Sequence, residues 1–260
     1  MKLALLNIQK NLKNEKALKS SFIISVVGMM INNIAFLILW YYFGKTVGNI
    51  NGWEPVDIFG LYAFSTTSYG IIASIGAGIF RLPDYISGGT LDKYLLTPKN
   101  VLLKVTTSTI STSAIGDFFF GIVCFIIFII FGKLTLFQII LAIFLMIIAS
   151  IIYYAGALIC MSLSFYLMDG HNVSNGLFGL LLSNSTYHGG AFTGILRIIF
   201  IYIVPSLLLG AIPVEIVKYF SIYKLLLIIF LAIIWLSISI LFFYKSLRRY
   251  ESNNLFGFGN

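Results

Sequence analysis

The side chains able to do chemistry are few and scattered. Nine acidic residues and two histidines occur among 260 residues. Asp117 is the one acidic residue well inside an apolar run, SAIGDFFFGIVCF. A carboxylate in hydrocarbon is costly and normally faces a bundle interior, a cavity or a partner. Asp117 therefore either binds a cationic substrate group, relays a proton, or is a structural hydrogen-bonding group near the membrane interface. His171 and His188 flank HNVSNGLFGLLLSNSTYHGG, with Asp169 the nearby carboxylate. That set is thin for a metal, and a kinked or re-entrant connection explains it better. Cys124 and Cys160 both fall inside apolar runs, where free cysteine behaves as a small hydrophobe. Gly44-Lys45-Thr46 resembles the end of a phosphate-binding loop, but that motif needs glycine five residues before its Gly-Lys pair, and position 39 is leucine. No nucleophile–base arrangement, paired carboxylates or HExxH motif is present in the sequence. The chain reads as a non-enzyme without a metal or nucleotide site of its own.

The elements that position these residues follow from composition. The chain is 59% hydrophobic and 10% charged, whereas soluble domains carry about 25% charged residues. Only a bilayer accepts so much apolar surface, provided the backbone is satisfied internally. The fold class is all-α: a polytopic membrane protein with six transmembrane helices. The apolar blocks run over 21–43, 58–80, 111–131, 136–167, 192–212 and 222–244. Each is long enough to cross about 30 Å of hydrocarbon at about 1.5 Å per residue. The fourth is too long for one perpendicular crossing, so it tilts, protrudes or kinks, with Gly156 the cheap place for a kink. A β-barrel would need segments alternating apolar and polar residues, which FIIFIIF at 125–131 denies.

Net charge is +8, and the basic residues sit at the edges of the apolar blocks. There they meet anionic lipid headgroups rather than nucleic acid. Lys2, Lys10, Lys13, Lys16, Lys19, Arg81, Lys93, Lys99, Lys104, Arg197, Lys245, Arg248 and Arg249 would share one side, against Lys45, Lys133, Lys218 and Lys224 on the other. The positive-inside rule then gives N-in/C-in topology with the 81–104 loop in the cytoplasm. The organisation is a cytoplasmic N-terminal stretch (1–20), a transmembrane domain (21–245) with a cytoplasmic loop (81–106), and a cytoplasmic tail (246–260). The first residues lack a cleavage site after the apolar run, so no signal peptide is expected.

Three segments could carry function. In 1–20, Leu5, Ile8 and Leu12 at helical spacing among lysines predict a helix in the cytoplasmic interface, or else a charged extension of the first span. In RLPDYISGGTLDKYLLTPKNVLLK, Pro83 should break the exit of the second span and Gly88-Gly89 should turn tightly. Thr90 would cap a short helix with Asp92 in its first turn and Leu91, Leu95 and Leu96 on one side, stopped by Pro98. That is either a docking element or a re-entry turn lying on the headgroups. Pro205 and Pro213 bracket SLLLGAI, so the chain there either folds back into the outer leaflet, with Glu215 just beyond, or merely kinks.

GGTLDKYLLTPKN (88–100), the polar stretch leading into LRIIFIYIVPSLLLGAIP (196–213) and the tail LRRYES (247–252) resemble the ABC-2 family of transporter permeases, in a bacterial branch with a G-x-LD-x-x-LL-x-P loop. The resemblance spans nearly the whole chain. It implies six helices per permease and a pairing of two permeases, identical or related. It implies a separate cytoplasmic ABC ATPase subunit that carries ATP and Mg, in a multi-pass protein of the bacterial cytoplasmic membrane. ATPase docking would fall on Leu91, Asp92, Tyr94, Leu95, Leu96 and Pro98, and the outer-leaflet re-entrant segment on Pro205, Pro213 and Glu215. The expected function is permease subunit of an ATP-driven exporter of a hydrophobic or amphipathic substrate. The alternative is an ion- or proton-coupled secondary transporter, which predicts more intramembrane ionisable groups than Asp117 alone.

Overall fold

The computed structural model describes residues 6–7, 9–11, 13, 19–48, 51–167 and 170–251. Among the described residues every regular element is helical. The helices are α1 (Lys19–Val47), α2 (Asp57–Gly76), α3 (Leu82–Ser87), α4 (Asp92–Leu95), α5 (Val101–Thr106), α6 (Thr112–Gly132), α7 (Leu136–Ser162), α8 (Gly170–Ser185), α9 (Gly194–Tyr202), α10 (Ala211–Lys218) and α11 (Ile222–Leu247). Short 3-10 turns cover Ala77–Arg81, Leu163–Phe165 and Gly189–Ala191. Five stretches are long and apolar enough to cross a membrane: Lys19–Thr46, Asp57–Ser87, Thr112–Gly132, Leu136–Phe165 and Ile222–Leu247.

Polar residues mark the helix starts. Ser111 Oγ accepts from the Ala114 amide at the start of α6, and Thr135 and Gln138 form a reciprocal capping box on α7. These side chains satisfy orphan donors that lipid could not. Between α6 and α7 the chain reverses through Lys133 in the left-handed region (φ 50°), with the Leu134 amide bonded to the Ile129 carbonyl at 3.2 Å.

α2 is the centre of the bundle and packs most closely on α6. A β-carbon on Gly70 would stand 2.6 Å from the Phe118 backbone nitrogen, and one on Gly121 would stand 2.6 Å from that of Thr67. Without a hydrophobic drive between helices in lipid, such close backbone approach is what holds them. α1 lies at the periphery and exposes Ile24, Ile31 and Leu39.

Several expectations are corrected. The predicted span 192–212 is not one helix. α9 stops at Tyr202, a buried turn runs through Val204–Gly210, and α10 leads back outward. The Leu207 amide bonds the Phe200 carbonyl at 3.1 Å, and that of Ile212 bonds Leu207 at 2.9 Å, so the hairpin closes on itself. Pro205 lies in this turn and Pro213 in the first turn of α10, where the missing N–H costs nothing. The element between α7 and the hairpin, expected as a polar connection, is the 16-residue helix α8. Gly156 does not interrupt α7, which stays α-helical through it; the glycine instead receives Leu181 of α8. The exit of α2 breaks at Gly76, before Pro83, which starts α3.

Thr90 does not cap α4: its N-cap is Leu91, with no side-chain cap bond. The expected turn at Gly88-Gly89 is present, with Gly89 at φ 64°. The interfacial-helix expectation rests on Leu5, Ile8 and Leu12, which lie outside the described residues. The intervening Asn7 and Asn11 are helical and donate to Thr107 Oγ1 and to the Thr107 and Ser108 carbonyls. Asp169 and residues 252–260 also lie outside the described residues.

Candidate functional site

Side-chain contacts sort the molecule into two ends. At one end His171 Nδ1 lies 2.8 Å from Asp84 Oδ1, Tyr244 Oη donates to Asn100 Oδ1 at 3.2 Å, and the Arg249 guanidinium lies 4.7 Å over the Tyr166 ring. At the other end the Trp53 and His188 rings lie 5.2 Å apart and tilted by 51°, Asn51 donates to the Gly190 carbonyl at 2.7 Å, and Gln138 donates to the Val217 carbonyl at 2.8 Å. His171 and His188 thus lie at opposite ends of α8 and form no joint site. Among the described residues no group of His, Cys, Asp and Glu is arranged to hold a metal.

The 81–104 loop is built at the first end. Its base is tied to the bundle because a β-carbon on Gly78 would overlap the Val105 carbonyl. Lys104 is buried and its ammonium donates to the Tyr94 and Thr97 carbonyls, both at 2.9 Å, and to Thr97 Oγ1. The lysine thereby satisfies carbonyls left open at the end of α4. Tyr85 Oη meets Ser108 Oγ at 2.8 Å, and the Tyr85 and Tyr94 rings lie 5.3 Å apart. The three leucines expected on one face divide. Leu91 is fully buried, whereas Leu95 is 38% and Leu96 is 85% exposed. Asp92 and Tyr94 are half-buried and Pro98 is exposed beside Leu96. The loop is therefore a ledge with a buried back and a greasy outer edge.

The second site is an open-sided cavity of about 510 Å³, walled by α1, α2, α6, α7 and the end of α8, with Asn32, Phe36 and Leu39 exposed at its rim. Asp117 borders it and is 3% exposed. Asn33 donates from Nδ2 to Asp117 Oδ1 at 2.6 Å, while Asp117 Oδ2 and the Oη of Tyr62, a second lining residue, have no partner. Deeper in the wall, Ser65 Oγ, Tyr153 Oη and Ser185 Oγ lie 2.6–2.7 Å from one another. Trp40, Tyr69 and Tyr187 supply ring faces, with Trp40 and Tyr187 5.3 Å apart. Sequence reasoning found Asp117 but not Asn33, Tyr62 or Tyr153. The signals in the sequence were the Asn32-Asn33 pair in an apolar helix and the hydroxyl run Ser65-Thr66-Thr67-Ser68.

The third site closes the other end. Arg197 Nη2 reaches both Glu215 carboxylate oxygens at 2.7 Å, and Lys224 Nζ reaches Oε2 at 2.9 Å. Lys218 Nζ binds Asp57 Oδ2 at 2.6 Å. Burial alone would raise the Glu215 pKa, but Arg197 and Lys224 outweigh it and hold the carboxyl below its ordinary value. Burial pushes the His188 imidazole down, so this histidine stays neutral, its Nδ1 accepting from the Gly190 amide at 3.2 Å. Arg197, expected beside the 81–104 loop, is therefore corrected to the opposite end with Lys218 and Lys224. The hairpin α9–α10 is pinned there by charge pairs linking it to α2 and α11.

No curated protein and no solved structure matches the chain. A family model described as ABC-2 family transporter protein matches residues 29–254. The match takes in all five long apolar helices but the first turns of α1, the 81–104 loop and the α9–α10 hairpin. The chain thus belongs to the ABC-2 transporter family and is a multi-pass membrane permease of an ABC-type transporter.

Proposed function

We propose that this permease is the transmembrane subunit of an exporter that moves a hydrophobic or amphipathic substrate out of a bacterial cell across its cytoplasmic membrane. Two permeases pair, identical or related. A separate cytoplasmic ABC ATPase, carrying ATP and Mg, docks on the ledge at 91–98. Both termini lie in the cytoplasm. α8 is the sixth crossing: it runs from the end holding Asp84 to the end holding Trp53, and its 16 residues span about 24 Å. That is short for an average bilayer, and its buried polar face suits a helix surrounded by protein. Moving Arg197 outward leaves Arg81, Lys93, Lys99, Lys245, Arg248 and Arg249 at the loop end, so the charge bias still favours this orientation.

The observation that carries the reading is the pairing of a fixed back with a free edge. Leu91 and Lys104 lock the loop into the bundle while Leu96 stands 85% exposed. A push on that edge reaches α2 and α5 without being absorbed by a slack loop. Nucleotide-driven closure of two ATPases would bias a two-state interface between the permeases. The test is co-purification of the tagged permease with an ABC ATPase, followed by ATP-dependent substrate uptake into inverted vesicles. Failure of ATPase association refutes the proposal.

Asp117 favours a second reading, a proton-coupled transporter. The two part on the energy source. Uptake that a proton ionophore abolishes while ATP is present supports the second, and uptake that survives it supports the first.

A further inference from the structure

We infer that the cavity beside Asp117 receives the headgroup of the cargo, and that this headgroup is an organic ammonium carried on an apolar tail. The inference rests on the transport reading above and names its substrate class.

Several hydroxyls bordering the cavity are occupied: Thr66 donates to the Tyr62 carbonyl, Thr186 to the Ser183 carbonyl, and Ser65 closes a ring with Tyr153 and Ser185. Asp117 Oδ2 and Tyr62 Oη are left without partners, and their residues are 3% and 2% exposed. Buried polar groups in native structures are paired, and each orphan calls for an explanation such as a missing ligand. Here both residues line one space large enough for a ligand, and the two orphan atoms lie just beneath its wall.

The charge of the missing group follows. Among the described residues of the lining Asp117 is the only carboxylic acid, and no lysine, arginine or histidine shares it. A carboxylate in a low-dielectric site needs a counter-charge to stay ionised. Asn33 already supplies one neutral donor to Oδ1, so an ammonium N–H that meets Oδ2 as the carboxylate turns toward the cavity completes the set. Trp40, Tyr69 and Tyr187 present rings to a cation, and Phe36, Leu39 and Leu182 present apolar surface to a tail. A carboxylate or phosphate headgroup would face Asp117 with like charge. A neutral alcohol could bond Oδ2 but would leave the charge uncompensated.

The test uses the full permease in nanodiscs of zwitterionic lipid, with empty nanodiscs as background. Decylammonium, decanol and decanoate share one tail and differ only in headgroup. Decylammonium should bind saturably above background, at least tenfold more tightly than decanol, and decanoate should show no excess. Asp117→Asn should weaken decylammonium binding at least tenfold. Equal binding of decylammonium and decanol overturns the inference, as does the absence of saturable decylammonium binding, or an Asp117→Asn variant that binds unchanged. If that variant does not fold, the headgroup comparison on the wild-type protein decides alone. ATPase co-purification is measured on the same sample, so loss of ammonium selectivity with ATPase association intact refutes this inference and spares the transport assignment.

Discussion

Leu91 and Leu96 lie five residues apart in one loop, and the structure predicts opposite fates for them. Leu91 is fully buried against the bundle, whereas Leu96 is 85% exposed. Leu91→Ala removes a packed side chain and should cost about 2–5 kcal/mol of permease stability. Leu96→Asp removes no internal contact of note, and the isolated permease should stay within about 0.5 kcal/mol of wild type. If Leu96 seats in a pocket of the ATPase, its burial contributes about 2 kcal/mol. At about 1.4 kcal/mol per tenfold, losing it weakens association on the order of 30-fold, before any cost of placing a carboxylate in that pocket. Two measurements on each variant suffice: the melting temperature of the purified permease alone, and retention of the ATPase by a tagged permease over a concentration series. The expected pattern is a lowered melting temperature for Leu91→Ala, and an unchanged melting temperature with lost ATPase for Leu96→Asp. A well-folded Leu96→Asp permease that retains its ATPase at wild-type affinity would refute the docking assignment. A Leu91→Ala permease as stable as wild type would refute the buried-back geometry.

Other predictions concern the frame around these sites. Lys104→Met leaves the Tyr94 and Thr97 carbonyls without their ammonium donor, a loss of about 1–3 kcal/mol; ATPase retention should fall although Leu95 and Leu96 are intact, and unchanged retention would show that the clamp does not position the ledge. Gly121→Val forces side-chain atoms into the Thr66 and Thr67 hydroxyls and the Thr67 backbone nitrogen of α2; the variant should fail to yield a monodisperse peak on size exclusion, and a wild-type profile would contradict the packing. Glu215 is held below its ordinary value of 4.5, so its contribution to stability is complete above pH 4.5 and is lost as pH falls through the depressed value. Glu215→Gln should therefore lower the melting temperature at pH 7 and flatten the fall on acidification, and identical acid limbs in both proteins would count against the ion-pair cluster. A membrane-impermeant thiol reagent applied to intact cells should modify Tyr223→Cys, a position 83% exposed at the α11 start, and spare Leu96→Cys; the reverse pattern would invert the topology.

The helical, membrane-embedded character of the chain is written in its composition. Blocks such as 125–131 are apolar on every side, and no aqueous fold can use them. The starts of α6 and α7 were also legible, because the apolar blocks 111–131 and 136–167 begin within one residue of them. The loop motif at 88–100 located the ledge, and Asp117 announced itself by being acidic among phenylalanines.

Hydropathy, however, does not separate burial in lipid from burial in protein. α8 buries Gly170, Ser174, Phe178, Leu181 and Ser185 along one helical face. Ser174 meets Ser164 at 3.0 Å and Ser185 meets Ser65, so partners on other helices make its polar residues tolerable in the interior. A sequence window counts the same residues as a polar connection. The block at 192–212 misleads in the opposite sense: it is apolar enough to span, yet it folds back. Arg197, Glu215 and Lys224 stand on three different helices, and their meeting at one point pins the hairpin that the Leu207 and Ile212 backbone bonds close. The sequence alone settled the solvent and the helical type of the long apolar blocks, because each depends on residues taken one at a time or at helical spacing. Tertiary structure alone decided which apolar block turns back, which leucine faces the core and which carboxylate oxygen lacks a partner, because each depends on contacts between residues tens of positions apart.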